Sequence, residues 1–228
     1  MKFSLTFFLI GFAVQLSSQP LPGQIVVDPN HPNRMVYHDE FLVISGDTIP
    51  KPCFFVGPGD PEDLFYNDTQ ANLDLLVDRG ARCTYITAYL ADFGGGVPAN
   101  LDSALTEWDR AINTLEKAGI ITVFFFYDDS FAPDADWPHA VENIVTKLKH
   151  HKLLIWAVAE EYSEALSREL AIEIAAKIRA VDDHQHIVGI HQLHGHAFDF
   201  TDRSEIDMFL MQNNLQSPQE LHKGILQT

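Results

Sequence analysis

From residue 51 onward the chain repeats one rhythm. A short apolar run rich in β-branched and aromatic residues is followed by a stretch with helical periodicity, roughly every 30 residues. Few architectures accommodate that repeat. Runs that are apolar on both sides predict parallel strands buried between layers, and the amphipathic segments between them predict the crossovers that parallel pairing requires. The first unit is 52–57 with a helix near 70–78. The second is 83–90 with 101–117, and the third is 120–127 with 138–150, where Pro138 suits a first helical turn. The fourth opens at residue 153 and continues, behind Ser163 as N-cap, into a helix over 164–180. The fifth strand, 187–192, has a missing or very short helix, and the sixth, 206–211, leads to a helix over 218–226.

Six such units in succession predict an α/β chain of the (β/α)8 TIM-barrel class, with about six of its eight units in these 228 residues and two more beyond Thr228. A doubly wound nucleotide fold is disfavoured, because Gly57-Pro58-Gly59-Asp60 places prolines and an acid where a phosphate-cradling glycine loop would open a helix. Ahead of the barrel domain at 51–228, residues 20–50 are irregular and predict a small hairpin built from 35–37 and 41–44. Residues 1–19 have the Lys2 start, apolar run and polar exit of a secretory signal peptide, which predicts a secreted protein, extracellular or periplasmic, with no membrane segment after cleavage. The only cysteines, Cys53 and Cys83, fall inside predicted strands and read as buried thiols rather than a disulfide framework.

A formal net charge of −17, from 15 basic and 32 acidic residues without a basic cluster, excludes nucleic acid and anionic membranes as natural partners. Function is expected instead where barrel strands end. The stretch 153–162 runs Leu-Leu-Ile-Trp-Ala-Val-Ala and then stops at Glu160, Glu161 and Tyr162. In (β/α) proteins the carboxyl ends of the strands carry the chemistry, so a glutamate there is a candidate for acid/base work. Strand alternation puts Glu161 on the side of Ala157 and Ala159, pointing inward, with Trp156 and Val158 toward the helices. A competing explanation is that both glutamates merely face the positive end of the following helix.

The other strand ends supply acids, aromatics, amides and imidazoles: Asp60, Tyr89, Tyr127, Asp128, Asp129, His191, Gln212 and Asn213. Such groups grip sugar hydroxyls and stack on sugar rings, so these eight are the candidate substrate-binding residues and a carbohydrate is the expected partner. The histidines at 184, 186, 191, 194 and 196 cannot meet at one ion, because an extended strand separates the first from the last by on the order of 30 Å. His191, His194 and His196, with Asp199, could converge, but no His-Glu-x-x-His pattern accompanies them. No metal and no cofactor is expected.

The order of elements, the export signal and the strand-four glutamate resemble the large clan of (β/α)8 retaining glycoside hydrolases that includes cellulases and β-mannanases. In that clan strand four ends in Asn-Glu, the Glu being the general acid/base, and strand seven ends in the nucleophilic Glu. The resemblance implies that Glu161 is the acid/base and that Glu160 stands where the clan has Asn. It further implies that the nucleophile lies beyond Thr228. The clan's strand-two Arg has no counterpart in place, since Arg82 begins that strand and Tyr85 occupies the nearer position. The expected function is a secreted glycoside hydrolase acting on a poly- or oligosaccharide, with Glu161 and Glu160 as its catalytic candidates. The alternatives are a metal-dependent hydrolase and a non-catalytic sugar-binding barrel. A retaining mechanism needs two carboxyls about 5 to 5.5 Å apart, and an inverting one, with Asp128 or Asp129 as base, about 6.5 to 9.5 Å.

Overall fold

The computed structural model describes residues 19–38, 40–42, 78, 82–88, 101–127, 129, 133, 135–193, 198–212 and 219. Eight strands and three α-helices lie in this part. An antiparallel sheet is built from β1 (Val26–Asp28), β2 (His31–Tyr37) and β3 (Glu40–Leu42) in that order. A second, wholly parallel sheet follows, with β4 (Cys83–Thr87), β5 (Ile121–Tyr127), β6 (Leu154–Ala159), β7 (Val188–Leu193) and β8 (Met208–Gln212) adjacent in chain order. Between them run α1 (Leu101–Lys117), α2 (Trp137–Leu148) and α3 (Arg168–Val181).

The strand order decides between the two α/β layouts. A doubly wound sheet reverses direction at a switch point and carries helices on both faces. Here each strand joins the same edge as its predecessor, and all three helices cover one face. Phe124, Phe126, Trp156 and Val158 pack with Trp108, Ile112, Val141, Ile144, Ile174 and Ile178 from the helices. The opposite face is lined by Ile121, Val123, Phe125, Leu153, Ile155, Ala157 and Ile187 and, among the described residues, carries no helix. Among the described residues this is an open parallel sheet of five strands with its helices on one face, the layering that one side of a (β/α) barrel has. The first expected unit, 52–57 with 70–78, lies outside the described residues apart from Asp78, as does nearly all of the helix expected over 218–226. Between β7 and β8 the described residues 198–207 are turns, in keeping with the short connection read there.

The N-terminal sheet has three strands, one more than the hairpin anticipated. It closes the amino ends of the parallel strands: Ile25 is fully buried in the inner cluster, with Val27, Met35 and Tyr37 packed against it. The Ile25 amide donates to Lys152 O at 3.1 Å, and Gln24 Nε2 donates to His184 O at 3.0 Å.

At that same end, Asp182 gathers the chain around itself. Its Oδ2 accepts from the His186 amide at 2.9 Å, His186 Nδ1 at 2.9 Å and Trp156 Nε1 at 3.1 Å, while Oδ1 accepts from the His184 amide at 3.0 Å. His186 Nε2 reaches His151 O at 2.7 Å. One carboxylate thus joins the end of α3, the entry to β7 and the indole of β6.

The end of α1 shows a local rule that needs no tertiary help. The Ile120 amide donates to Leu115 O at 3.0 Å and the Gly119 amide to Glu116 O at 2.9 Å, with Gly119 at φ 74°. This is the double bond pattern of a Schellman cap, closed by burial of Leu115 and Ile120 in the same cluster. A side chain at that φ is strained even though no atom lies within 4 Å of an added Cβ. Gly119→Ala should therefore destabilise the protein by about 1 kcal/mol, read as a lower midpoint with unchanged slope in denaturant unfolding.

Candidate functional site

The carboxyl ends of β5, β6 and β7 converge on the residues that follow Ala159. The ladder extends one residue past β6, since the Glu160 amide donates to Tyr127 O at 3.0 Å. There extended geometry ends. Glu161 has φ 43° and ψ 48°, in the left-handed region, and is followed by a 3-10 turn, Tyr162–Glu164. A β-unbranched acid in that conformation is uncommon and costs on the order of 1–3 kcal/mol unless its surroundings fix it. His191 on β7 supplies the fixing contact: the Glu161 amide donates to His191 Nδ1 at 2.9 Å.

The strand parity used to orient Glu161 thus fails before Glu161 is reached, since Ala159 packs in the helix-side cluster with Trp156 and Val158 and not beside Ala157. Trp156 and Val158 face the helices and Ala157 faces the inner side, as alternation requires. Glu161 lies beyond the strand, and its placement comes from the left-handed turn instead. The helix itself starts later than expected. Ser167, not Ser163, is the N-cap of α3, its Oγ accepting from the Leu170 amide at 3.1 Å. The chain needs one 3-10 turn to leave the barrel wall before the helix can begin. Arg168–Val181 therefore carries Glu169 in its first turn, and the helix-dipole account of Glu160 and Glu161 loses its basis.

Around Glu161 the turn brings acids together. One carboxylate oxygen each from Asp129, Glu161 and Glu164 lie within 4.8 Å of one another. Asp129 was read from the sequence as a substrate contact; Glu164 was not, having been taken as an ordinary helical residue. Its signal was there, since residues three apart on a helical turn share a side. One oxygen of Asp129 thus lies closer to one of Glu161 than the roughly 6.5 to 9.5 Å that separates the carboxyls of an inverting pair.

The floor beneath these acids is aromatic. Phe125 on the inner face is met edge-on by Tyr85 at 5.9 Å and by the His191 ring at 6.2 Å between centroids. Burial pushes the Tyr85 hydroxyl above its ordinary pKa, and the charge of Glu160 pushes it further the same way. Glu160 therefore lies within electrostatic reach of Tyr85. On the other flank, the Tyr162 hydroxyl donates to Asp199 Oδ2 at 2.5 Å, and the Asp199 amide donates to Gln192 Oε1 at 3.3 Å. Burial and then Asp199 raise the Tyr162 pKa, so this phenol stays a donor. The pair ties the 3-10 turn to the segment after β7.

Of the remaining candidates, Tyr127 is fully buried and packs within the helix-side core. With 0% exposure its ring fills space in that core and offers no face to a ligand. Gln212 ends β8, paired with Leu193. Asp60, Tyr89, Asp128 and Asn213, with His194 and His196, lie outside the described residues. Cys83 is half-buried, its Sγ donating to Thr84 O at 3.6 Å, and burial pushes the thiol up to about 12; Cys53 lies outside the described residues.

His191 links this geometry to pH. Burial lowers its pKa, outweighing the opposite pull of Asp129, so the fold favours the neutral ring. Because Nδ1 accepts the Glu161 amide, the neutral ring carries its proton on Nε2. A folded-state pKa below the unfolded value of about 6.5 means the contribution is complete above that pH and is lost as pH falls through the folded pKa. The protection factor of the Glu161 amide, its exchange rate relative to the intrinsic rate at the same pH, should fall across this window. A protection factor that does not change with pH, or one unaffected by His191→Phe, would remove the role given to His191.

No protein-family model matches the chain, and no curated protein matches it. Solved structures do resemble it. A glycoside hydrolase family 5 protein from Bacteroides vulgatus superposes with a TM-score of 0.57 at 14% identity over 82% of this chain and 43% of its own. An endo-1,4-beta-mannanase from Eisenia fetida gives 0.53 at 12% identity over 80% of this chain and 65% of its own. A beta-mannanase from the blue mussel Mytilus edulis gives 0.56 at 12% over 81% and 67%. The chain spans less than half the length of the Bacteroides protein. The likeness is one of fold: these neighbours are TIM-barrel glycoside hydrolases, and this chain shares with them a parallel sheet of consecutive strands.

Proposed function

We propose that this chain supplies the acid/base part of the active centre of a secreted glycoside hydrolase, with a poly- or oligosaccharide as substrate. The observation that carries the reading is the placement of Glu161. It stands at the carboxyl end of β6, in a left-handed turn pinned by His191, with Asp129 and Glu164 within 4.8 Å and an aromatic floor nearby. Barrel neighbours of glycoside hydrolase type support the same conclusion.

In this reading Glu161 donates its proton to the oxygen of the departing sugar as a second, nucleophilic carboxylate bonds to the anomeric carbon and the glycosidic bond breaks, then takes a proton from the water that displaces that carboxylate. His191 acts through the backbone, holding the turn that aims the carboxyl. Glu160 contacts substrate or adjusts the charge around Tyr85, and the half-buried Tyr85, backed by the buried Phe125, offers the apolar surface against which a sugar ring packs. The test is release of reducing ends from a panel of β-linked gluco- and manno-oligosaccharides by the secreted gene product, with Glu161→Gln alongside. Folded protein that releases no reducing ends from any of them would overturn the proposal.

A further inference from the structure

Far from the strand ends, where α2 gives way to β6, three side chains form a ligand set that the glycosidase reading does not use. Asp109 on α1 points one oxygen, Oδ1, at two adjacent imidazoles: His151 Nε2 at 3.0 Å and His150 Nε2 at 3.2 Å. The outer nitrogens of both rings are already committed. His150 Nδ1 lies 3.0 Å from Lys147 O, and His151 Nδ1 lies 3.1 Å from Glu116 Oε2. A carbonyl and a carboxylate only accept, so both Nδ1 atoms carry protons. With Nδ1 protonated, both Nε2 atoms turn toward Asp109 Oδ1, and three potential ligand atoms converge. Such a group is balanced by extra protons or by a cation.

We propose that Asp109, His150 and His151 bind one Zn2+ ion. Zinc takes imidazole and carboxylate ligands at about 2.0–2.2 Å, which in a tetrahedron places neighbouring ligand atoms about 3.3 Å apart. The distances from Asp109 Oδ1 fit that spacing, and the ligand atoms of all three residues lie within 4.8 Å of one another. Oxygen-preferring Ca2+ and Mg2+ would not select two imidazoles. The surrounding contacts are those of a metal-bound histidine: Glu116 receives the His151 Nδ1 proton and is itself held by the Lys152 amide at 3.2 Å. Lys147 approaches the other oxygen, Asp109 Oδ2, at 3.9 Å and leaves Oδ1 to the ion. His150 is well exposed while His151 is buried, so the fourth position opens to water. The site staples α1 to the turn that leads into β6, a structural role and not a catalytic one.

The purified chain, stripped with a chelator, should bind one equivalent of Zn2+ by titration calorimetry, and Co2+ in its place should give the visible absorption of a tetrahedral site. Glu116→Gln, a positioning change, should weaken Zn2+ about 10- to 100-fold. His150→Ala should weaken it by at least as much while leaving the circular dichroism unchanged, because the ring is exposed. Glu161→Gln should leave the affinity as it is. The proposal is overturned if the chain binds no Zn2+, which would leave the cluster protonated, or if binding survives His150→Ala or is lost on Glu161→Gln.

Discussion

Replacing Glu161 with Gln is expected to cut hydrolysis of an unactivated glycoside by a factor of about 100 to 10,000. The amide keeps the shape of the side chain and the backbone bond to His191 Nδ1, which is made by the main chain and not by the carboxyl. What is lost is the proton. A substrate with a good leaving group needs little protonation, so its glycosylation step should slow much less. That contrast separates loss of an acid from loss of fold, since misfolding would slow both substrates alike. Glu160→Gln should alter KM or the pH optimum without producing the contrast. Near-normal rates for Glu161→Gln on the natural substrate would remove the acid/base assignment and leave the acids at the end of β6 without a catalytic role.

The second large effect is expected at Asp182, a residue with no part in the proposed chemistry. Its side chain is 1% exposed, and it accepts four hydrogen bonds, from Trp156, His184 and, twice, His186. Asp182→Ala would strand all of those donors in the core at once, including the ring of His186. Removing one member of a buried charged pair costs about 3–5 kcal/mol, and the loss should appear as a lower denaturation midpoint with the slope unchanged. Burial alone would raise the Asp182 pKa, but the bond and charge from His186, with the two backbone donors, outweigh it and hold the carboxyl below its ordinary range. A lowered folded-state pKa means this stability is present above the unfolded value of about 3.9 and disappears as pH falls through the folded one. The wild-type protein should therefore lose stability in acid over that range, and Asp182→Ala should lose less of it. Equal acid sensitivity in the two proteins would assign the loss to other groups.

Hydrophobic runs and helical periodicity are local properties, and they were enough to read the parallel strands from β4 to β8 with their intervening helices to within a few residues. The reason is that a strand buried on both faces admits almost no polar residue, so 121–127 and 154–159 announce themselves in any context. The end of β6 was legible by the same logic, because charge returns to the sequence, at Glu160 and Glu161, only where burial stops.

What the sequence could not supply was everything set by atoms from different units. Glu161 leaves extended geometry because His191, 30 residues later, accepts its amide, and alternation along the strand carries no information past that turn. Ser163 and Ser167 are equally good N-caps on paper; the 3-10 turn needed to clear the barrel wall chose Ser167. Tyr127 reads as a strand-end aromatic, yet the helix-side core claims its ring. Asp182, and Asp109 with His150 and His151, read as scattered surface polar residues until α1, the end of α2 and the entry to β7 pack together. Periodicity reports which face of an element avoids water, while convergence of side chains across elements is a property of packing, and only the folded chain decides it.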